Sequence, residues 1–540
     1  MTAETLPPPP GDAVAPVGGG AAARPGPLDA WIDSWSAGGG RAWRPVLLLL
    51  AAFVAVWTTV QAVAHSSMGL HPDVLEVYAW SRHPSLGYYK HPPLNAWVAF
   101  AWLRLFPAAD WSMHLLAMTS SAAALFATDL IARRYLDGPK RLLALILLML
   151  TPFYQFFADN FSTNQVMLLT WPIATWCFLL AYERRTLGWS IAAGVAAAAA
   201  MLAKYYSVYL LGSFALAVLL QPGRWTYLRS PSPWISVLAG LAALTPNLWW
   251  LVTTGFQPFH YAYAVHGNTT LARILAKDAS YIAGALGYVA LPIVVYAIAV
   301  RPSLRQLADA LWPADPRRRM LVTLLAGQLL LAPLTAPLLG DELTPLWTMQ
   351  AWFLLPVVLL SPPGAVLPRP RLRAAIFLLA GISAALLVAA PVAAVMAHRT
   401  GDKSGRTDYP PAAAEITRLW RQATGRPLRI VRGDLYFASA AEFYAPDHPD
   451  AVPGYDLSTS PWVTPARLDA DGWTMICPDS DPTCLGEVQR HQREQPGASL
   501  RRFQTTSLYF GVASPPGHFT LLIVPPKPPR PAAPAAIPAP

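Results

Sequence analysis

Residues 45–64 read PVLLLLAAFVAVWTTVQAVA, twenty positions without one Asp, Glu, Lys or Arg. A helix rises 1.5 Å per residue, so this run covers about 30 Å, the hydrocarbon thickness of a bilayer. It starts too late and runs too long for the apolar centre of a secretion signal, and many similar runs follow, so it reads as a permanent first span. A sliding window of about 19 residues marks further spans near 111–132, 142–158, 164–182, 187–203, 205–220, 233–252, 279–300, 320–338, 346–361 and 374–396, which makes about eleven. Composition agrees. Of 540 residues, 54% are hydrophobic and 13% charged, against about 25% charged in a soluble domain. The fold expected is mainly α, a polytopic membrane protein.

The net charge of +10 has two readings, nucleic-acid binding or cytoplasmic loops, and the placement of the basic residues decides. A cytoplasmic N-terminus puts Arg41, Arg44, Arg133, Arg134, Lys140, Arg141, Arg184, Arg185, Arg224, Arg229, Arg317 to Arg319, Arg369, Arg371 and Arg373 on one side, as the positive-inside rule requires. These loops are short and carry no interleaved aromatic residues on which bases would stack, so no nucleic acid is expected as partner. An odd span count places everything after His398 outside, in the periplasm of an inner-membrane protein. The turn at Lys204 decides the topology downstream: one long tilted helix there would invert the rest, while the downstream charge pattern supports a hairpin.

Residues 1–42, with Pro7 to Pro10, Gly18 to Gly20 and Gly38 to Gly40, are expected as a disordered cytoplasmic tail, and 525–540 as a disordered Pro/Ala tail. Residues 43–400 are the membrane domain. Residues 401–524 return to soluble composition and read as a small extracytoplasmic α/β domain, with a helix Tyr409–Thr424 stopped at Gly425 and short strands at Leu428 to Val431, Trp473 to Cys477 and His518 to Val524. Cys477 and Cys484 both lie there, and an oxidising compartment favours a disulfide between them over a metal site. Cys177 falls inside a span, as a small packing residue.

Between the first two spans, residues 66–110 hold His71, Pro72, Asp73, Glu76, Tyr78, Trp80, Arg82 and His83, then GYYKHPPL over 87–94. Asp73, Glu76 and Trp80 have the spacing of one helical face, so a short helix aims both acids the same way. The competing reading is a solvated face pinned at the interface by aromatic rings. Leu94 to Phe106 is too short to span and reads as an interfacial helix.

The order of acid, aromatic and Trp followed by Gly87-Tyr88-Tyr89-Lys90-His91-Pro92-Pro93-Leu94 resembles the first extracytoplasmic loop of bacterial glycosyltransferase family 39. Its relatives include the protein O-mannosyltransferases and the aminoarabinose and galacturonic acid transferases of lipid A. Supporting matches are Asn160 to Asn164, Leu202-Ala203-Lys204-Tyr205-Tyr206 and Pro246-Asn247-Leu248-Trp249-Trp250. The resemblance implies a GT-C fold, a catalytic loop outside, a polyprenyl-phosphate-linked sugar donor in the membrane, and a lipid, glycan or protein acceptor. The family commonly has adjacent Asp-Glu in this loop; here Leu75-Glu76 stands there, with Asp73 three positions before the Glu, so either acid is a candidate for the base.

A lipid-linked phosphate is already a good leaving group. Unlike glycoside hydrolysis with its two carboxylates, transfer with inversion then needs one base, Asp73 or Glu76, and positive charge near the departing phosphate, for which Lys90, His91 and Lys204 are candidates. Tyr78, Tyr89, Asn160, Asn164, Tyr205, His260 and Tyr261 are expected along the substrate groove. A divalent metal is an open candidate, with His91 and His260 as ligands, although no compact ligand motif is present. The alternatives from other classes are a secondary transporter or lipid flippase, disfavoured because acids inside the spans are nearly absent, and an O-antigen ligase-like enzyme, which would carry a large late periplasmic loop.

Overall fold

The computed structural model describes residues 26–37, 43–267, 270–402 and 404–527. Its membrane part runs α1 (Pro27–Ser34), α2 (Arg44–Ala64), α3 (Pro72–Arg82), α4 (Leu94–Leu103), α5 (Asp110–Ala132), α6 (Gly138–Met149), α7 (Thr163–Arg184), α8 (Leu187–Ala203), α9 (Val208–Leu219), α10 (Arg224–Leu228), α11 (Pro231–Thr253), α12 (Gln257–His266), α13 (Leu271–Tyr288), α14 (Ala290–Val300), α15 (Leu304–Leu311), α16 (Pro316–Leu339), α17 (Leu355–Leu360) and α18 (Arg369–Thr400). Among the described residues, six helices are long and apolar enough to cross a membrane (α2, α5, α7, α11, α16 and α18), and the pair α13 and α14, bent by 44°, makes a seventh if it is one span.

Fewer helices pass this length test than the about eleven apolar runs expected. Every apolar run is helical, but those near 142–158, 187–203, 205–220 and 346–361 form shorter pieces. Pro152 opens a 3-10 turn soon after α6 ends, and the last of these runs breaks into two 3-10 turns before α17. Helix α6 is buried from Arg141 to Met149, so protein surrounds it. Hydropathy reads a helix enclosed by protein and one facing lipid alike, because both are apolar all round.

At Lys204 the backbone turns extended, with φ −161° and ψ 137°. Trp171 Nε1 donates to Ser207 Oγ at 2.9 Å and Phe178 stacks on Phe214, so α9 runs alongside α7 in the same direction and the chain reverses after α8. The hairpin reading holds, and Lys204 lies at the opposite end of the bundle from the basic loops. At that basic end Arg133 and Arg141 meet Asp129, while Arg134 and Arg317 meet Glu183. Helix α1 docks there too, through Asp29 with Arg373 and Asp33 with Arg369, burying Ile32 and Trp35. This corrects part of the expected disordered tail: Gly-rich flanks hid a short helix whose Trp and Ile have a bundle to pack on. Residues 1–25 and 38–42 lie outside the described residues.

The C-terminal unit holds α19 (Tyr409–Thr424), β1 (Ile430–Gly433), α20 (Leu435–Tyr444), β2 (Asp450–Pro453), α21 (Pro465–Asp471), β3 (Trp473–Pro478), α22 (Pro482–Glu494), β4 (Ser499–Thr505), β5 (Leu508–Tyr509), β6 (Val512–Ala513) and β7 (Gly517–Val524). Gly425, at φ +68°, closes α19 in the left-handed conformation that suits glycine. Five strands form a mixed sheet in the order β2-β1-β3-β7-β4, parallel from β2 to β3 and antiparallel from there. Val431, Ile476, Leu521 and Ile523 pack toward α19, α20 and the bundle, whereas Met475, Cys477 and Leu522 pack with Cys484 and Val488 of α22 on the other face. The tail begins ordered: the Lys527 N–H donates to the Asp469 carbonyl at 2.8 Å; residues 528–540 lie outside the described residues.

Cys477 and Cys484 are joined, with Cα atoms 5.5 Å apart. Closing so short a loop adds about 2.5 kcal/mol on the loop-entropy scale. Cys477→Ser with Cys484→Ser is expected to lower the unfolding free energy of this unit by that amount while transfer activity survives, read by denaturant melts and turnover. Free thiols at both positions in protein from an oxidising compartment would overturn the pairing.

Candidate active site

Helix α3 begins at His71, whose Nδ1 accepts the Asp73 N–H at 3.2 Å, and Pro72 occupies its first turn, where a missing N–H costs nothing. Asp73 therefore sits at the helix start and Glu76 one turn on, and both line a cavity of about 240 Å³. Its walls are Trp80, Tyr89 and Lys90 of the same loop, Tyr261 of α12, and Tyr436 and Trp462 of the C-terminal unit. The helix forms because its far face is anchored: Val74, Leu75, Val77 and Tyr78 are buried, and Arg82 at its end reaches Glu442 of α20 at 2.9 Å and Asp450 at 3.4 Å.

The two acids differ sharply in surroundings. Glu76 accepts from the Tyr89 hydroxyl at 3.1 Å and pairs with Lys90 Nζ at 3.1 Å. Burial raises its pKa, and the Lys90 charge only partly offsets that. For Lys90, burial pulls the other way, and the Glu76 and Asp73 charges outweigh it and raise its pKa, so it stays an ammonium. The Asp73 side chain is 47% exposed, and its ionic neighbour is His71, with Nδ1 3.8 Å away. Asp73 is thus the acid open to the cavity, and Glu76 the one committed to holding Lys90.

Lys204 joins from the reversal after α8. Its Nζ donates to Asn164 Oδ1 at 3.0 Å and lies 4.8 Å from the Trp347 ring centre, within electrostatic reach of Asp73 and Lys90. His91 is the exception among the expected phosphate groups. Burial, reinforced by Lys204 and Lys90, pushes its pKa well below the usual value, so it is neutral and offers a hydrogen bond but no charge. Gly87 explains how the loop sits so close to α11, because a Cβ there would fall 2.3 Å from Trp250.

Tyr89 and Tyr261 meet edge to face at 5.7 Å. The Tyr205 hydroxyl donates to Asn247 Oδ1 at 3.0 Å, and its ring stacks on Phe259. Five expected groove residues do not line the cavity, Asn164 and Tyr205 with the contacts just given and three others. Tyr78 turns to the opposite face of α3 and packs edge-on against Phe443, Asn160 lies half-buried before α7, and His260 is exposed on α12. No set of three metal-ligating atoms gathers around His91 or His260 among the described residues. The groups that do converge are His65, His114 and Asp159, and His83, Glu442 and Asp450. In the second, Arg82 and Arg467 already supply positive charge. Sequence reading missed Trp347 and the wall from the C-terminal unit, Tyr436 and Trp462, since no spacing rule links residues so distant in the chain.

Residues 90–250 match the family described as dolichyl-phosphate-mannose-protein mannosyltransferase. The lipid A galacturonosyltransferase RgtD of Rhizobium johnstonii is 26% identical over 296 residues, which is 54% of this chain and 60% of that relative's length. Among solved structures, ArnT from Cupriavidus metallidurans bound to undecaprenyl phosphate superposes with a TM-score of 0.57 at 14% identity, covering 89% of this chain and 98% of ArnT. Its apo state gives 0.56 over 88% and 97%. The fold is therefore the GT-C fold of ArnT, and the resemblance read from the GYYKHPPL loop is borne out by matches to glycosyltransferases of the kinds it named.

Proposed function

We propose that this chain is an inner-membrane glycosyltransferase that moves a sugar from a polyprenyl-phosphate donor to a hydroxyl of a lipid-linked saccharide at the outer membrane face, with inversion. The observation that carries this reading is one cavity holding an accessible carboxylate, Asp73, within electrostatic reach of Lys204 and beside the Glu76–Lys90 pair. Asp73 takes the acceptor hydroxyl proton as its oxygen bonds to the sugar's anomeric carbon. The bond from that carbon to the phosphate oxygen breaks, and the phosphate leaves carrying the electron pair. Lys90 and Lys204 stabilise the growing negative charge, and His91 contributes a neutral hydrogen bond. Support for a lipid donor and a lipid acceptor comes from similarity to ArnT and to RgtD.

The test is mass spectrometry of envelope lipids from cells with and without the gene, and with the Asp73→Asn variant. Loss of one hexose, pentose or uronic acid from a single lipid in both deficient strains is expected; unchanged lipids would overturn the reading. For the face, a cysteine at Gln489 is expected to react with a membrane-impermeant maleimide in intact spheroplasts. Reaction only after permeabilisation would place the cavity on the cytoplasmic side.

A further inference from the structure

The β5–β6 hairpin is the outer unit's smallest element. Its pairs are Leu508 with Ala513 and Tyr509 with Val512, separate from the five-stranded sheet. A two-stranded ribbon is marginal in water without a surface to rest on. One side has that surface. The Ser507 carbonyl meets His398 Nε2 at 3.1 Å, the Tyr509 ring lies 5.6 Å from the His398 ring, and the Tyr509 hydroxyl is 2.6 Å from Ser66 Oγ. These contacts fix the ribbon at the last turns of α18 and just beyond the end of α2, where both spans leave the membrane.

The other side is bare and apolar. Leu508 is 74% exposed and Phe510, at the tip, 87%. Phe510 and Gly511 have φ of +47° and +80°, a turn with positive φ at both central residues that favours Asn-Gly. A bulky aromatic residue in that conformation is unfavourable, and in water its exposed ring adds a second cost. Isolated exposed apolar residues are ordinary, so the tip alone decides nothing. Its place does: His398, which holds the hairpin, lies in the last turns of α18, and the opposite face of that helix is exposed and apolar at Val388, Val392 and Met396, so the hairpin sits at the depth where the lipid-facing side of the span ends.

We propose that this hairpin is a membrane anchor whose Leu508 and Phe510 enter the outer leaflet of the same bilayer that holds α18. The inference rests on the membrane-spanning reading and is independent of the sugar-transfer chemistry. Aromatic and aliphatic side chains at a loop tip partition into the interface, and the cost of the Phe510 backbone is offset there. The anchor continues into the sheet through β4, where Thr505 Oγ1 donates to Asp408 Oδ1 at 2.7 Å. It therefore ties the C-terminal unit to the membrane directly, beyond its contacts with the loop and α5 such as Arg406 with Gly69 and Tyr444 with Asp110, and keeps the wall carrying Tyr436 and Trp462 over the cavity.

The full chain with Cys177→Ser and Phe510→Cys, carrying an NBD fluorophore at position 510, is placed in lipid nanodiscs; Leu508→Cys serves as a second site and Gln489→Cys on α22, behind the sheet, as the water-facing control. Nitroxide-labelled phospholipid is expected to quench most of the emission at 510 and 508, with a blue shift, and to leave 489 unaffected, whereas iodide quenches only 489. Iodide quenching at 510 and 508 equal to that at 489, without lipid quenching, would show a tip in water. Protection from both quenchers would show a protein partner. Either result overturns the anchor.

Discussion

Asp73→Asn lowers kcat by at least about 10²-fold with donor KM little changed, the signature of losing an interaction made only as the proton moves. The amide keeps the size and the helix-start position of the side chain but cannot take a proton. Asp73 is singled out because it is the accessible acid of the cavity, half-exposed, with His71 Nδ1 3.8 Å away. Glu76→Gln has a different profile. It removes the partner that holds Lys90 at 3.1 Å, so donor KM rises and kcat falls less. Steady-state kinetics on purified protein in nanodiscs with a synthetic polyprenyl-phosphate sugar separate the two. A larger kcat loss in Glu76→Gln than in Asp73→Asn would exchange their roles, and full activity in the double variant would remove this loop from catalysis.

Local patterns carried the elements of the site and failed at its enclosure. The spacing of Asp73, Glu76 and Trp80 is a statement about one helix, and α3 places Asp73 and Glu76 one turn apart on the cavity side. Tyr78 was expected in the groove although it lies two positions beyond Glu76; a helix turns that position to the opposite side, where Phe443 receives it. Lys204 was legible as a charge in an apolar context, but its neighbours were not: Trp347 lies more than a hundred residues away in the chain. The breaks that shorten several apolar helices were hidden for a similar reason. The apolarity of α6 and α17 reflects burial inside protein, and a window over one segment has no access to what surrounds it. The short helix α1 escaped notice because its stability comes from burying Ile32 and Trp35 against the bundle, with Arg369 and Arg373 of α18 pairing its acids, whereas its own flanks look like linker.

Lys204→Met is expected to move stability and donor use in opposite directions. Among the described residues no carboxylate pairs with this ammonium; a single amide oxygen, Asn164 Oδ1, and the face of Trp347 receive it. Holding a desolvated cation with so little compensation costs several kcal/mol, of which the hydrogen bond and the ring return a part. Methionine has nearly the same length and no charge, so even after the Asn164 amide loses its partner a net gain of about 1 kcal/mol is expected, seen as a rise of about one degree in melting temperature. A hydrogen bond from a charged donor contributes about 1.5–3 kcal/mol, so loss of the contact to the donor phosphate raises donor KM by about 10- to 100-fold. Lys204→Arg keeps the charge and recovers part of that loss. A cation retained only as a packing residue predicts the stability gain without the kinetic penalty, so unchanged donor KM in Lys204→Met would sink its role in binding phosphate. A drop in melting temperature alongside raised KM would instead mean that Lys204 holds the α8–α9 reversal together and acts on the donor through the fold.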